Sequence, residues 1–458
     1  MLLESFDNRR VGLEQEFFLV EEDGVVSERA DEFLEVCHRL AAAEGFDEGC
    51  FASECVLSTV EVCTKPAGSL EELESGYLGN VDLALRAARE AGLRLYPLAT
   101  YPLQITPTLR AEPHYLAQAL VMGSERFRHA GRCAGVHLHL EMPAGAIDPD
   151  NGVSPGAPEE GVRELLDAYN LSTALDPAIV ALTRSCPFYQ GTADGLAART
   201  AHYRGSPDFA PHGLYAALPI AGGLRPYART AAELTELQRE RHQAWISTVE
   251  ASGLDSSLFE AEGLLKTAWN PVRLNAQDGV RGTLELRGID SSYPSEIMAI
   301  ISLITACKDR VMADGLTVVP EPDLYTFEVR GDELRVPDFE TLSGPLLREA
   351  ATRGLDSPEV NAYLDSVFEL AGHPPGIQRF RDAEDAEDAE DTGGYRNVER
   401  EILARMSTPS ASDGTRHGLG RDEGLALVRE ACDTLESQVE ARRAPGKEPV
   451  EAVEAGTL

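Results

Sequence analysis

Basic residues are scarce in this 458-residue chain: 41 lysines and arginines stand against 77 aspartates and glutamates, a formal charge of −36. A deficit of that size repels nucleic acid and anionic membranes, so neither is expected as a partner. It does not exclude an anionic small molecule such as a nucleotide, because a divalent cation inverts the field inside a cleft. The eight cysteines, Cys37, Cys50, Cys55, Cys63, Cys133, Cys186, Cys307 and Cys432, form no Cys-x-x-Cys pair and no disulfide-like framework. They read as reduced, mostly buried thiols. No stretch approaches the roughly 18 uninterrupted apolar residues of a membrane span, and no basic leader precedes an apolar run. A cytoplasmic protein is therefore expected. With 43% hydrophobic residues the chain has material for a substantial core.

What is present is a set of acids in the wrong places for a core. Val11 to Val20 reads as a strand with Leu13, Phe17 and Leu19 on one face and Glu14, Glu16 and Phe18 on the other. Gln15 lies opposite the acids and carries least of the argument. Like charges on alternate strand positions repel unless a cation or a solvated cleft separates them, and such hard oxygen ligands suit magnesium or manganese. A half-exposed strand with a polar outer face is the plain alternative.

Downstream strands repeat the pattern. Val56 to Thr64 carries Glu61 within a β-branched run, where an unpaired charge is costly. Glu54 lies seven residues earlier. That odd spacing puts the two on opposite faces of a regular strand, so a shared site requires Glu54 to precede the strand or flank a bulge. Cys133 to Glu141 aligns His137, His139 and Glu141, a shape shared by metal sites and by ordinary polar faces. Thr283 to Ile289 aligns Thr283, Glu285 and Arg287. An acid and a guanidinium so spaced hold a metal beside a phosphate, or simply pair with each other.

Between these strands, helical spacing is expected over Arg29 to Glu44, from a capping box at Ser69 and Glu72 through Ala91, and over His114 to Arg128, Val162 to Leu182, Ala231 to Gly253 and Pro294 to Met312. Further strands are expected at Leu93 to Leu98 and Leu265 to Asn275. Strands and helices without strict alternation or repeat argue for an α+β sheet with helices covering one side. A catalytic domain over 1–375, an acidic Ala-Glu-Asp linker or loop over 376–394 and a helical C-terminal segment with a disordered tail over 395–458 complete the expected layout. Taken together, Glu14, Glu16, Glu54, Glu61, His137 and Glu285 fit two or three magnesium ions better than zinc, in the manner of clusters that clamp the phosphates of ATP.

In their order, Gly12-Leu13-Glu14-Gln15-Glu16-Phe17-Phe18, Glu54 with Ser58-Thr59-Val60-Glu61-Val62-Cys63-Thr64, Gly135-Val136-His137-Leu138-His139 and Gly282-Thr283-Leu284-Glu285-Leu286-Arg287 resemble the glutamate-cysteine ligase and carboxylate-amine ligase family, within the glutamine-synthetase-like superfamily. Ser185-Cys186-Pro187-Phe188-Tyr189-Gln190-Gly191, Gly195-Leu196-Ala197 with Arg199, and Trp269-Asn270-Pro271-Val272-Arg273 resemble its second group. The resemblance implies a curved, largely antiparallel sheet forming a funnel-like active site with helices outside. It implies an ATP-dependent ligase in which the γ-carboxylate of glutamate becomes an acyl phosphate and is taken by the amine of cysteine. It assigns Glu16, Glu54 and Glu61 to one metal and Glu14, His137 and Glu285 to a second, with magnesium or manganese as the ion. Arg287 would hold the transferred phosphoryl group and, with Glu285, stand as catalytic; Arg273 and Arg199 would contact phosphate or substrate carboxylate, and His139 would support the ligands from behind. Ala99-Thr100-Tyr101-Pro102 lacks the histidine of the family's Gly-Thr-His-Pro, which leaves the amine open. A carboxylate-amine ligase with another acceptor is the near alternative, and a His137-x-His139 metal-dependent hydrolase is the alternative of another class. The partners expected are small molecules, with homo-oligomerisation left open.

Overall fold

Alternation of side chains along Val11–Glu21 (β1) builds the centre of the molecule. This computed structural model describes residues 9–276, 281–381, 394–406 and 417–443; the Ala-Glu-Asp run and the expected disordered tail lie outside the described residues. β1 is flanked by Phe51–Ser53 (β2), Thr59–Cys63 (β3), Leu93–Tyr96 (β4), Gly135–Glu141 (β5), Val272–Ala276 (β6) and Gly282–Asp290 (β7). The sheet runs β2-β3-β1-β5-β7-β6, with every pairing antiparallel. β1 is long enough to pair with β5 through its first half and with β4 through its second.

One face is apolar. Leu13, Phe17, Leu19, Val60, Val62, Val136, Leu138, Leu140, Leu274, Leu284 and Leu286 belong to the same buried core as the helices Leu70–Glu90, Glu159–Thr183 and Pro294–Ala313. That packing fixes register, because a slip of one residue would turn every acid into the core. On the other face Phe18 packs against the rings of Tyr96 and Tyr101 and closes the far end of the strand. The helix Arg421–Arg443 adds Val428, Cys432, Leu435 and Val439 to this core.

Several boundaries differ from the sequence expectation. β3 begins at Thr59 rather than Val56, because the Leu57 N–H is taken by the Thr108 carbonyl and Val56 bridges Leu109. The expected strand from Leu265 is reduced to Val272–Ala276. Pro271 has no N–H for a ladder, and Asn270 turns its amide to the Ile220 and Gly223 carbonyls instead. The expected His114–Arg128 helix breaks at Gly123, whose φ of 86° ends Pro113–Met122 before a short turn at Ser124–Phe127. The capping box is modified. Ser69 accepts from the Glu72 N–H, while Glu72 reaches back to the Gly68 N–H rather than to that of Ser69.

Candidate active site

The polar face gathers its residues where β3, β1, β5, β7 and β6 lie side by side. In register, Glu16 faces Glu61 across β1 and β3, Glu14 faces His137 and Glu285 faces both His139 and Arg273. Glu54 sits outside the strands, in the turn between β2 and β3, as its odd spacing required. Arg110 holds it there: its Nε donates to the Glu54 carbonyl at 2.9 Å.

Carboxylate oxygens and imidazole nitrogens form three overlapping groups, each within 4.8 Å: Glu16, Glu54 and Glu61; Glu14, Glu61 and His137; Glu14, His139 and Glu285. His137 Nδ1 lies 3.0 Å from Glu14 Oε2, and His139 Nε2 lies 3.2 Å from Glu14 Oε1. Arg287 Nη1 donates to Glu285 Oε1 at 2.5 Å, and Arg273 Nε to Glu285 Oε2 at 2.6 Å. Asn275 adds a donor to the same oxygen at 3.4 Å, and the Gly135 N–H donates to Glu16 Oε2 at 2.6 Å.

The charges divide in two. For Glu285, burial would raise the carboxyl, but Arg273 and Arg287 outweigh it and hold it well below the usual range. Burial likewise opposes ionisation of Glu14, and the hydrogen bonds of His137 and His139 reverse it. For Glu54 and Glu61 the more distant help of Arg287 is outweighed. Burial first, and then the charge of Glu16, push Glu54 up to about 8, and burial with Glu14, Glu54 and Glu16 carries Glu61 well above its ordinary value. His137 is shifted down by burial and by Arg287. Its Nε2 is buried without a hydrogen-bond partner among the described residues and lies 3.6 Å from Glu16 Oε1.

These features fit a divalent cation. Crowded carboxylates that resist ionisation want positive charge, and a neutral imidazole fixed through one nitrogen presents the other as a ligand. All six sequence candidates therefore come together, and His139 joins them through Glu14. Arg287 and Arg273 border the cluster, whereas Arg199 lies behind it, its Nη2 donating to the Arg287 carbonyl at 3.1 Å. Three contributors escaped sequence reasoning: Asn275, the Gly135 N–H and Gln15. Asn275 was legible as the next same-face residue after Arg273. Gln15 is fully buried, taking the Tyr77 hydroxyl and donating to Ser291 Oγ and the Ser292 carbonyl. It ties the acidic strand to the loop after β7.

The family model for glutamate-cysteine ligase family 2 matches residues 10–360, a span that includes every residue of this cluster. The chain belongs to glutamate-cysteine ligase family 2. No curated protein matches it. Among solved structures it is similar to a bifunctional glutathione synthetase from Pasteurella multocida, with 14% identity, 95% of this chain, 53% of that one and a TM-score of 0.49. The chain thus spans about half the length of that enzyme. It is also similar to a glutamate-cysteine ligase from Francisella tularensis in complex with AMP, at 11% identity over 96% of each chain and a TM-score of 0.42. A glutamine synthase homolog matches at 14% identity over 93% of this chain and 71% of its own, with a TM-score of 0.38. Likenesses this distant decide nothing about substrate. No helix among the described residues is long and apolar enough to cross a membrane.

Proposed function

We propose that the protein uses ATP to join the γ-carboxylate of glutamate to the amine of cysteine. The observation that carries this reading is the juxtaposition of five glutamates and two histidines with the guanidiniums of Arg287 and Arg273 on one sheet face. Glu16, Glu54 and Glu61 would hold one cation and Glu14 and Glu285 a second, with His139 in the second group and His137 between the two centres, its Nε2 toward Glu16. Magnesium or manganese bound there would neutralise charge on the ATP phosphates. A glutamate γ-carboxylate oxygen bonds to the γ-phosphorus and ADP leaves; the amine nitrogen then bonds to the acyl carbon, phosphate leaves and the amine proton passes to solvent. Arg287, placed beside Glu285, would stabilise the phosphoryl group in transfer and Arg273 would orient Glu285 and the phosphates.

A different acceptor amine is the second reading, and one observation favours it. Tyr101, at the family's histidine position, is buried behind Phe18 and donates to the Gly24 carbonyl at 2.8 Å, away from the cluster. The test is phosphate release with magnesium-ATP, glutamate and a panel of amines, with products weighed by mass spectrometry. Cysteine-dependent release that is lost in Glu16→Gln is expected. Release that needs no glutamate, or that survives Glu16→Gln, overturns the ligase assignment; release with another amine in place of cysteine changes the acceptor.

A further inference from the structure

The direction of Arg287 is set by a break in its strand. Between β7 and β5, Leu286 faces Leu138 but Ile289 faces Val136, so Arg287 and Gly288 together stand opposite His137. A bulge of this kind re-aims a side chain and leaves backbone groups outside the ladder. Here both groups of Arg287 find partners: its N–H donates to the Pro271 carbonyl at 2.7 Å, and its carbonyl accepts from Arg199 Nη2 at 3.1 Å.

Arg199 does a second thing. It is 6% exposed, and its guanidinium lies across Gly135 so closely that a Cβ there would come within 2.1 Å of Nη2. Gly135 is the residue whose N–H holds Glu16. Tyr203 backs the guanidinium, its ring centroid 5.4 Å away. On the other side of the bulge, Gly288 leaves room for Asp176, which pairs with Arg204 at 2.7 Å. Arg199, Tyr203 and Arg204 all come from the π-helical turn Thr200–Arg204 and the residue before it, a wide turn of the sort that recurs at functional sites.

We propose that Arg199 is a positioning residue: it locks the Arg287 bulge against the end of β5 whose Gly135 N–H holds Glu16, without touching substrate. This deepens the ligase reading and rests on it. Two variants probe the clamp from opposite sides. Arg199→Ala removes it, and Gly135→Ala displaces it while keeping every charge and the N–H to Glu16. Each is expected to lower kcat by about 10- to 100-fold, as small misplacements of reacting groups do, with KM for ATP within about twofold of wild type. The double variant should be no worse than either single one, since both break one contact, and Arg199→Lys should recover part of kcat. A large rise in KM for ATP with kcat intact, or losses that multiply in the double variant, would overturn the proposal.

Manganese titration followed by electron paramagnetic resonance, without substrates, separates this from the ligase reading. Deleting a nearby positive charge would by itself tighten cation binding, so weaker binding in Arg199→Ala, matched by Gly135→Ala, reports lost positioning. Unchanged or tighter binding in both counts against the clamp, even if wild-type protein turns over no ATP with glutamate. Should Arg199→Ala fail to fold by circular dichroism, Gly135→Ala carries the same test.

Discussion

Glu285 is fully buried and is gripped from both sides, by Arg287 Nη1 at 2.5 Å and by Arg273 Nε at 2.6 Å. Two guanidiniums thus depend on one carboxylate. Glu285→Gln leaves two partly buried cations without this counter-charge, and breaking a buried pair typically costs about 3–5 kcal/mol. Urea unfolding is expected to show a loss of that order, and glutamate-dependent ATP turnover to fall below detection. Wild-type stability in Glu285→Gln would mean that the two arginines find other partners.

The cation-free protein should lose stability as pH rises from about 4.5 to about 8, the ordinary and shifted values of Glu54. The sign follows from protons. Glu54 and Glu61 titrate higher in the folded state than in the unfolded state, so folding takes up protons in this window and its contribution fades as they ionise. Glu14 and Glu285 shift the other way and act only at lower pH. His137, shifted down, opposes the fall only below 6.5, whereas His139, shifted up, adds to it above 6.5. Thermal melts in chelator should therefore fall across the window, and fall less steeply in Glu54→Gln with Glu61→Gln and when magnesium is added, the remaining slope coming from groups such as Asp290, which burial pushes up to about 7. A melting point that climbs steadily through the window would contradict the assignment.

Gln15 gives a stability prediction separate from chemistry. Gln15→Leu takes the partner of the Tyr77 hydroxyl and of the Ser292 carbonyl in the core, while Ser291 Oγ keeps its bond to the Glu16 carbonyl, and each unsatisfied group costs about 1–3 kcal/mol. Denaturant midpoints should drop accordingly, while KM for ATP stays near wild type. A midpoint unchanged in Gln15→Leu would show that water or repacking replaces the amide.

Truncation after Met406 is expected to abolish cooperative folding. It removes Val428, Cys432, Leu435 and Val439 from the main core and the pairing of Arg94 with Glu436 at 2.8 Å. Loss of a sharp thermal transition with increased dye binding is the expected signature; a shortened chain that melts sharply would show the helix to be dispensable.

The polar face was legible because side chains alternate along a strand. Glu14 with Glu16, His137 with His139 and Glu285 with Arg287 declare themselves at spacing two, and clean aliphatics opposite them fix which face is core. Glu54 was legible only as a misfit, an acid at the wrong parity that had to leave the strand. Leu265–Pro271 was misread because an apolar run resembles a strand until its proline and side-chain hydrogen bonds are counted.

The sequence by itself determined the cast: an α+β chain whose acids, histidines and arginines share strand faces, in the order of a ligase family. Local periodicity encodes that much, since it needs no partner strand. Only the tertiary structure decided which oxygens share a centre, that Gln15 is a buried tie and that Arg199 reaches the bulge beneath Arg287. Those contacts join residues as far apart as Gln15 and Ser291, or Arg199 and Arg287. No spacing along the chain records them; strand register and one extra residue in β7 do.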